Sequence, residues 1–499
     1  MYLLGLDIGS SRVKASIIDA NTGLCLESTF APMTEMTIQS EQPGWAEQDP
    51  EVWWQNVLRA TREAVMESDV DGDYIKAIGI SYQMHGLVLV DENQKVIYPS
   101  IIWCDSRATG IGNKAFDDLG AGYCLDHYLN SPGNFTVSKL NWMKENHQVI
   151  FENIHKAMLP GDYIAMRLTG EINTTVGGLS EAIMWDFKEN KPAYELMEYF
   201  GVDPELIPDL VPTFGISGGV KHDVAEELGL RPGTPVSYRA GDQSNNAFSL
   251  NVLEPGQLAA TGGTSGVIYG VTDKLLYDPM SRVNSFAHVN HSEEQLRLGV
   301  LLCMNGTGIL NSWLKNNIAD GKLYYDDLSR AANEIGIGSD GLVVLPFGNG
   351  AERMLGNQNV NAQFHGICFN IHTQAHLFRA AHEGIAYALN YGMEIMHEVG
   401  IEKSNICAGK ANMFLSPIFR NTLAGISGAV IELYNTDGSQ GAARAAGVGA
   451  GIFNSNDETF SGLIKTEEIE PDNKLTSQYS EGYELWKETL GRQMAARDS

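Results

Sequence analysis

The 499-residue chain is poor in cysteine: six in all (Cys25, Cys104, Cys124, Cys303, Cys368 and Cys407), with no C-x-x-C pair. That excludes a disulfide framework or a thiolate zinc site and predicts reduced, mostly buried thiols in a reducing compartment. Positive charge is scarce as well, with 34 Lys and Arg against 62 Asp and Glu and a net charge of −28. Such a balance repels nucleic acid and anionic membrane, so neither is expected as a partner. No uninterrupted apolar run approaches the roughly 20 residues of a membrane span. Asp7 breaks the apolar start where a signal peptide would continue. Cytoplasmic residence is the default expectation. No low-complexity linker is present, yet the chain is too long for a single core, so two or more domains must meet through a compact interface.

What is present begins with "LLGLDIGSSRVKASIID", residues 3–19. Residues 2–6 are too short an apolar run for a helix, and residues 13–18 are rich in β-branched side chains, so both read as strands. Gly9, Ser10 and Ser11 supply turn chemistry between them. A strand-turn-strand unit argues against a P-loop, which needs a helix after its glycine loop. Either this is a hairpin with a polar turn, or the turn's N–H groups cradle a phosphate. The stretch "QLAATGGTSGVIYGVTD", residues 257–273, has the same design. At an offset of 254 positions Asp7 meets Thr261, Gly9 meets Gly263, Ser10 meets Thr264, Ser11 meets Ser265 and Val13 meets Val267. A match at half the chain length predicts two similar α/β domains, residues 1–246 and 247–499, with the boundary falling within 246–256.

Other segments fill in the layers. Asp49-Pro50 opens a helix that buries Trp53, Val57, Ala60 and Ala64. "IKAIGISYQ" reads as a strand, residues 86–99 as a hairpin turning at 91–94, and residues 137–146 and 160–168 as helices. "TPVSYRAGDQSNNAFSLNV" is a strand ending at Gly241-Asp242, then a helix start. A long helix sets Leu377, Ala381, Ile385 and Leu389 at core spacing, and "SQGAARAAGVGAGIF" is a small-residue helix packed closely on a neighbour. Asp242 reads ordinarily as a helix N-cap. Gly241 before it, and Gln243 and Asn245 after it, also suit a general base in a cleft. The repeat places Asp7 in the same cleft, and two carboxylates beside a polyphosphate suit Mg²⁺ held partly through water. "YQMHGL" puts Met84 and His85 at a strand end, where a structural role is the commoner one. "PSIIWCDSRA" offers Trp103 beside an Asp105–Arg107 pair that reads as local.

The segments "GLDIGSSRVK", "QPGWAEQDPEVWW", "QMHG", "IIWCDSRA", "LPGDYIAMRLTGE", "AGDQ", "GGTSGV", "LPFGNGAER" and "HLFRAAHEGIAYAL" are weak singly and specific in this order. Through them the chain resembles the FGGY carbohydrate kinases. The resemblance implies two ribonuclease-H-like domains, as in hexokinase and actin, closing over ATP in the interdomain cleft. It implies an ATP-dependent phosphotransferase that uses Mg²⁺ and a small-molecule sugar. The QMHG element points to D-xylulose and the product D-xylulose 5-phosphate, with glycerol, ribulose or gluconate as other acceptors. A switch ATPase of the actin or chaperone class is the rival from another class, and it would lack a base for a sugar hydroxyl. A homodimer is an assembly left open.

The resemblance also implies roles. Asp242 is the catalytic base and Asp7 the acid that places Mg²⁺, both facing the metal through water. Met84 and His85 are the sugar-binding pair, with Trp103 and Gln243 lining the pocket. Ser10, Ser11 and Arg12 form the first phosphate loop, and Gly263, Thr264 and Ser265 the second. Gly308 and Ser312 are nucleotide contacts, and Gly409, Lys410 and Asn412 belong to the adenine side. The adenine-side stretch "AGKANMFLS" lacks the consecutive glycines usual there and sets Lys410 near the base. "GAER" stands for the usual glycine-glutamate-arginine string, and Gln243 for a frequent asparagine.

Overall fold

The structure is a computed structural model that describes residues 1–319, 321, 324–402 and 404–496. Its first sheet grows from the N-terminal hairpin. Strand β1 (Tyr2–Ile8) pairs antiparallel with β2 (Val13–Asp19), and β2 with β3 (Cys25–Ala31). The chain then runs through α1 (Pro50–Glu67) and returns as β4 (Ile75–Tyr82), parallel to β1. Strands β5 (Phe214–Gly219) and β6 (Pro235–Gly241) complete the order β5-β6-β4-β1-β2-β3, with β6 parallel to β4. Helix α2 (Asp242–Ser249) follows β6 at once. The long passage between β4 and β5 carries a smaller sheet and the helices Thr136–Asn146 and Pro160–Thr169, which come to stand beside the end of β4.

The second half repeats this plan. Strands β7 (Leu258–Gly262) and β8 (Gly266–Thr272) form its hairpin, and β9 (Asn284–Ala287) and β10 (Leu298–Met304) follow. Then come α3 (Gln374–Glu398), β11 (Ile406–Gly409), α4 (Pro417–Ser427), β12 (Ile431–Tyr434), α5 (Gly438–Gly449) and β13 (Lys465–Ile469). The order is β9-β10-β8-β7-β11-β12-β13. In each sheet a third antiparallel strand lies beside the second arm of the hairpin, and two parallel strands lie beside the first arm. The likeness read from two hairpins therefore extends over five strands and the helix after the fifth.

Strand alternation explains how the halves join. Leu4, Leu6 and Ile8 share a core with Trp53 and Val57 of α1, whereas Leu3 packs with Ala443 and Ala446 of α5. With a period of 2, Gly5 and Asp7 take the Leu3 face. A Cβ on Gly5 would stand 1.8 Å from the Ser439 carbonyl oxygen, and one on Gly79 2.0 Å from that of Ala442. Only bare backbone admits a helix this near, and the Gly and Ala run of α5 meets it with equally small residues. So a helix of the second half docks on the sheet of the first. It carries Asp437-Gly438 at its start up to Asp7. Helix α2 in turn touches α5, β7 and β8.

Several local expectations hold. Asp49 caps α1 by accepting from the Glu51 N–H, and α1 buries Trp53, Val57, Ala60 and Ala64. In α3, Ala381, Ile385 and Leu389 are wholly buried, while Leu377 is only half-buried near the helix start. The cysteines differ from expectation. All six are free thiols, but only Cys124 is buried and Cys104 is exposed, because most lie at strand ends and loops. Among the described residues no helix is long and apolar enough to cross a membrane.

Candidate active site

Asp7 sits next to the last residue of β1, facing Lys14 across the hairpin and Ser81 on β4. The Ser81 hydroxyl donates to its Oδ1 at 2.8 Å. A Cβ on Gly438 would be 2.6 Å from Asp7 Oδ2, so the carboxylate lies against the N-terminus of α5. Burial raises the Asp7 pKa, the Ser81 bond opposes this, and the charge of Asp437 adds to the rise. Asp437 caps α5, accepts from Ser439 Oγ and Gln440 N–H, and forms an ion pair with Lys14. That lysine and those bonds hold Asp437 below its ordinary pKa despite burial. One lysine thus serves two acids, and Asp7 is left short of countercharge.

Asp242 is the first residue of α2, one past the N-cap Gly241, which removes the ordinary N-cap reading. Its pKa is pushed up to about 7, first by burial and then by the charge of Asp7, with bonds from Gln243 opposing. A carboxyl poised near neutrality in a cleft is what general-base work requires. Gln243 keeps its side-chain oxygen buried without a partner.

His85 ends the turn after β4 with φ at 61°, a left-handed conformation uncommon outside glycine. Its Nδ1 lies 2.8 Å from the Glu181 carbonyl and must donate there, which leaves Nε2 free to accept. Its ring is 4.8 Å from Phe135, edge-on, and 5.2 Å from Phe286. Burial drives its pKa down to about 3, so the ring is neutral. Met84 beside it is buried. Lys139 fixes this corner by donating to the His85 and Ile102 carbonyls. Trp103 does not pack into the core: it is 40% exposed, and its Nε1 points at Ser10 Oγ at 3.4 Å. Asp105 and Arg107 form the local pair expected, buried together with Glu47.

Around the first turn the Gly9 N–H closes on the Arg12 carbonyl, and the Ser10 carbonyl accepts from Gln48. Ser11 and Arg12 are exposed, and the Arg12 guanidinium lies over Phe30. In the second turn the Gly263 and Thr264 carbonyls accept from the N–H groups of Gly308 and Ile309. Ser265 follows them in that turn, and Ser312 lies further along the helix that Gly308 begins. Asn412 approaches Gly263, its Nδ2 standing 3.9 Å from where a Cβ would be. Gly263, Thr264, Gly308 and Asn412 therefore stand together. Lys410 is the exception: its ammonium pairs with Glu467 at 3.1 Å, a carboxylate shared with Arg420. Gly409, before it, ends β11.

Sequence reasoning missed four groups. Asp437 had a readable signal, since "ELYNTDGSQ" repeats the strand-acid-helix order of "SYRAGDQSN". Ser81 meets Asp7 only through parallel pairing, which no local pattern encodes. Glu181 lies behind Gly241, where a Cβ would come 2.4 Å from its Oε2; its Oε1 is unpartnered and burial holds its carboxyl well above the usual range. Arg353 faces Phe135 from the second half.

Residues 2–249 match the N-terminal domain of the FGGY family of carbohydrate kinases. The chain is 27% identical over 500 residues to the xylulose kinase of Bacillus subtilis (strain 168), covering 97% of this chain and 96% of that protein. It is 28% identical to the xylulose kinase of Escherichia coli (strain K12), covering 99% and 98%. The crystal structure of xylulose kinase from Rhodospirillum rubrum shares the fold over 100% of both chains, with a TM-score of 0.88 at 24% identity.

Proposed function

The chain belongs to the FGGY family of carbohydrate kinases, and we propose that it transfers the γ-phosphoryl group of ATP to the 5-hydroxyl of D-xylulose. The observation that carries the reading is Asp242, a carboxyl poised near pH 7 at the junction of two duplicated halves, one residue past Gly241, which lies against Met84. Relatives over nearly the whole chain are xylulose kinases, which favours this sugar over glycerol, ribulose or gluconate. We divide the lobes between residues 246 and 256, with α5 reaching back onto the first.

Phosphoryl transfer needs positioning and charge stabilisation more than covalent help from the protein. In this reading Asp242 takes the proton of the attacking hydroxyl as it bonds to phosphorus and ADP departs. Gln243 donates to Asp242 and offers its free oxygen to the sugar. His85 Nε2 accepts from a second hydroxyl, Met84 packs on the carbon chain, and Trp103 closes the pocket next to Ser10. The turn amides at 10–12 and 263–265 face the phosphates, with Gly308 and Ser312 behind the second turn and Gly409 and Asn412 toward adenine. Lys410 acts there through Glu467 and not on the base. Among the described residues no three His, Cys, Asp or Glu side chains could hold a metal ion by themselves. Asp7 and Asp242 fit a Mg²⁺ that brings phosphate and water ligands with it, because Asp7 lacks countercharge. When bound, that ion would neutralise charge on the transferring phosphate.

Two outcomes test the reading. The base works only when ionised, so kcat/KM for D-xylulose should fall about tenfold per pH unit below pH 7 and level off above it. A profile flat down to about pH 5 would remove Asp242 from that role. His85→Ala should lower kcat/KM for D-xylulose by about 1–3 kcal/mol, the cost of an unsatisfied buried group, with ATP affinity measured without sugar unchanged. Preference of the wild type for glycerol, or full D-xylulose activity in His85→Ala, would sink the sugar assignment and leave the kinase.

A further inference from the structure

The "GAER" stretch has no part in the mechanism above, although its arginine reaches the sugar pocket. Arg353 opens a short turn, Arg353–Leu355, and is half-buried. Its guanidinium stands over the Phe135 ring at 5.4 Å, and that ring stands edge-on to His85 at 4.8 Å. The stacked arginine is therefore one ring away from the residue assigned to the sugar. Among the described residues its guanidinium has no ion pair and no hydrogen bond. Four other shielded arginines, Arg107, Arg239, Arg282 and Arg379, each hold a carboxylate within 2.9 Å, and the fully buried Arg444 donates to the Thr436 hydroxyl. A guanidinium carries five donors in a fixed fork, and leaving them partly desolvated and unfilled is costly. The cleft surface at Arg353 is built for an acceptor that this chain does not itself supply.

Its support points the same way. Glu352, fully buried, accepts from the Asn305 N–H through both carboxyl oxygens at 3.1 Å. Asn305 leads into Gly308 and Ile309, whose amides donate to the Gly263 and Thr264 carbonyls. A rigid path thus runs from Arg353 through Glu352 to the second phosphate turn. Arginine suits sugar oxygens because its fork can donate two parallel bonds while its face rests on an aromatic ring.

We propose that Arg353 is a specificity-determining ligand of the acceptor sugar, donating from the second half to sugar oxygens while Met84 and His85 hold the sugar from the first. The inference rests on the sugar-kinase reading above. It makes sugar occupancy a bridge between the halves, anchored to the turn that faces ATP.

The test compares wild type, Arg353→Lys and Arg353→Ala on D-xylulose, with ATP and sugar varied separately. The KM for D-xylulose should rise about 10- to 100-fold in Arg353→Ala, as expected for losing hydrogen bonds from a charged donor, and less in Arg353→Lys. The KM for ATP and the sugar-free ATP hydrolysis should stay at wild-type levels. Millimolar guanidinium should restore part of the D-xylulose activity of Arg353→Ala. An unchanged sugar KM overturns the proposal. So does a fall confined to kcat, which marks a clamp on the phosphoryl group. So does a loss with a lowered melting temperature and no recovery by guanidinium, which marks a structural arginine. The wild type run on D-xylulose, ribulose, glycerol and gluconate judges the parent reading separately. Should another of these sugars be preferred, the same Arg353 comparison is read on that sugar.

Discussion

Asp242→Asn is expected to lose phosphoryl transfer and to gain stability. Removing a general base costs about 10²–10⁴-fold in turnover, and the amide cannot take the hydroxyl proton. The stability gain follows from linkage. The folded pKa of about 7 lies above the ordinary 3.8, so the fold prefers the protonated acid. The stability that this group contributes is complete at low pH and is lost as pH rises through about 7. A shift of this size corresponds to at most about 4 kcal/mol above pH 7, reduced in practice because Asp242 is only partly shielded from water. The uncharged Asn escapes that loss. The melting temperature of the variant should therefore exceed that of wild type at about pH 8 and converge with it near pH 4. Turnover and thermal unfolding measured on the same preparation check both halves. A folded Asp242→Asn protein with near wild-type turnover removes Asp242 from catalysis. A variant both inactive and less stable would show a structural aspartate.

Much of this site is legible in local sequence pattern. The strand-turn-strand at Asp7 and its echo at Thr261 are short-range signals, so period and turn chemistry alone reveal the duplication. The sheet order is not in that signal, because β4 on β1 and β11 on β7 pair strands distant in the chain, whereas the Gly and Ala run at 438–449 implies a closely docked helix. What the helix docks on is not legible. Gly5 and Gly79 look like ordinary strand glycines until the fold sets the Ser439 and Ala442 carbonyls 2.0 Å or less from their missing Cβ atoms. Asp437 is easily passed over for the same reason, although its strand-acid-helix setting matches that of Asp242. Glu181 and Arg353 carry no pattern that could single them out. One lies within a helix and the other in a short turn, and their meaning depends on Gly241 and Phe135, which are distant in sequence. The ion pair of Lys410 with Glu467 is not legible either, because it joins the adenine-side stretch to a strand more than fifty residues further on.

Asp7→Ala tests the metal side, and its expected effect is nearly as large. Asp7 is flanked by Asp437, which already occupies Lys14, and by a Ser81 hydroxyl that can give one bond. A buried carboxylate in such company is unfavourable in the free protein and favourable once a cation arrives. Without it, Mg²⁺-ATP would lose one anchor at the end of β1, and the phosphoryl group would be held less well in line. Turnover should fall about 10²–10³-fold, the size seen when one electrostatic stabiliser of a reacting group is removed. The Mg²⁺ concentration for half-maximal rate should rise, while the KM for D-xylulose moves little, since His85 and Met84 lie on a different turn. The burial-raised pKa also means that Asp7→Ala should not destabilise the fold at pH 8 through loss of charge, so unfolding serves as the control. A Mg²⁺ titration at saturating ATP and sugar decides the matter. Dependence identical to wild type would return Asp7 to the part of a polar residue closing a hairpin.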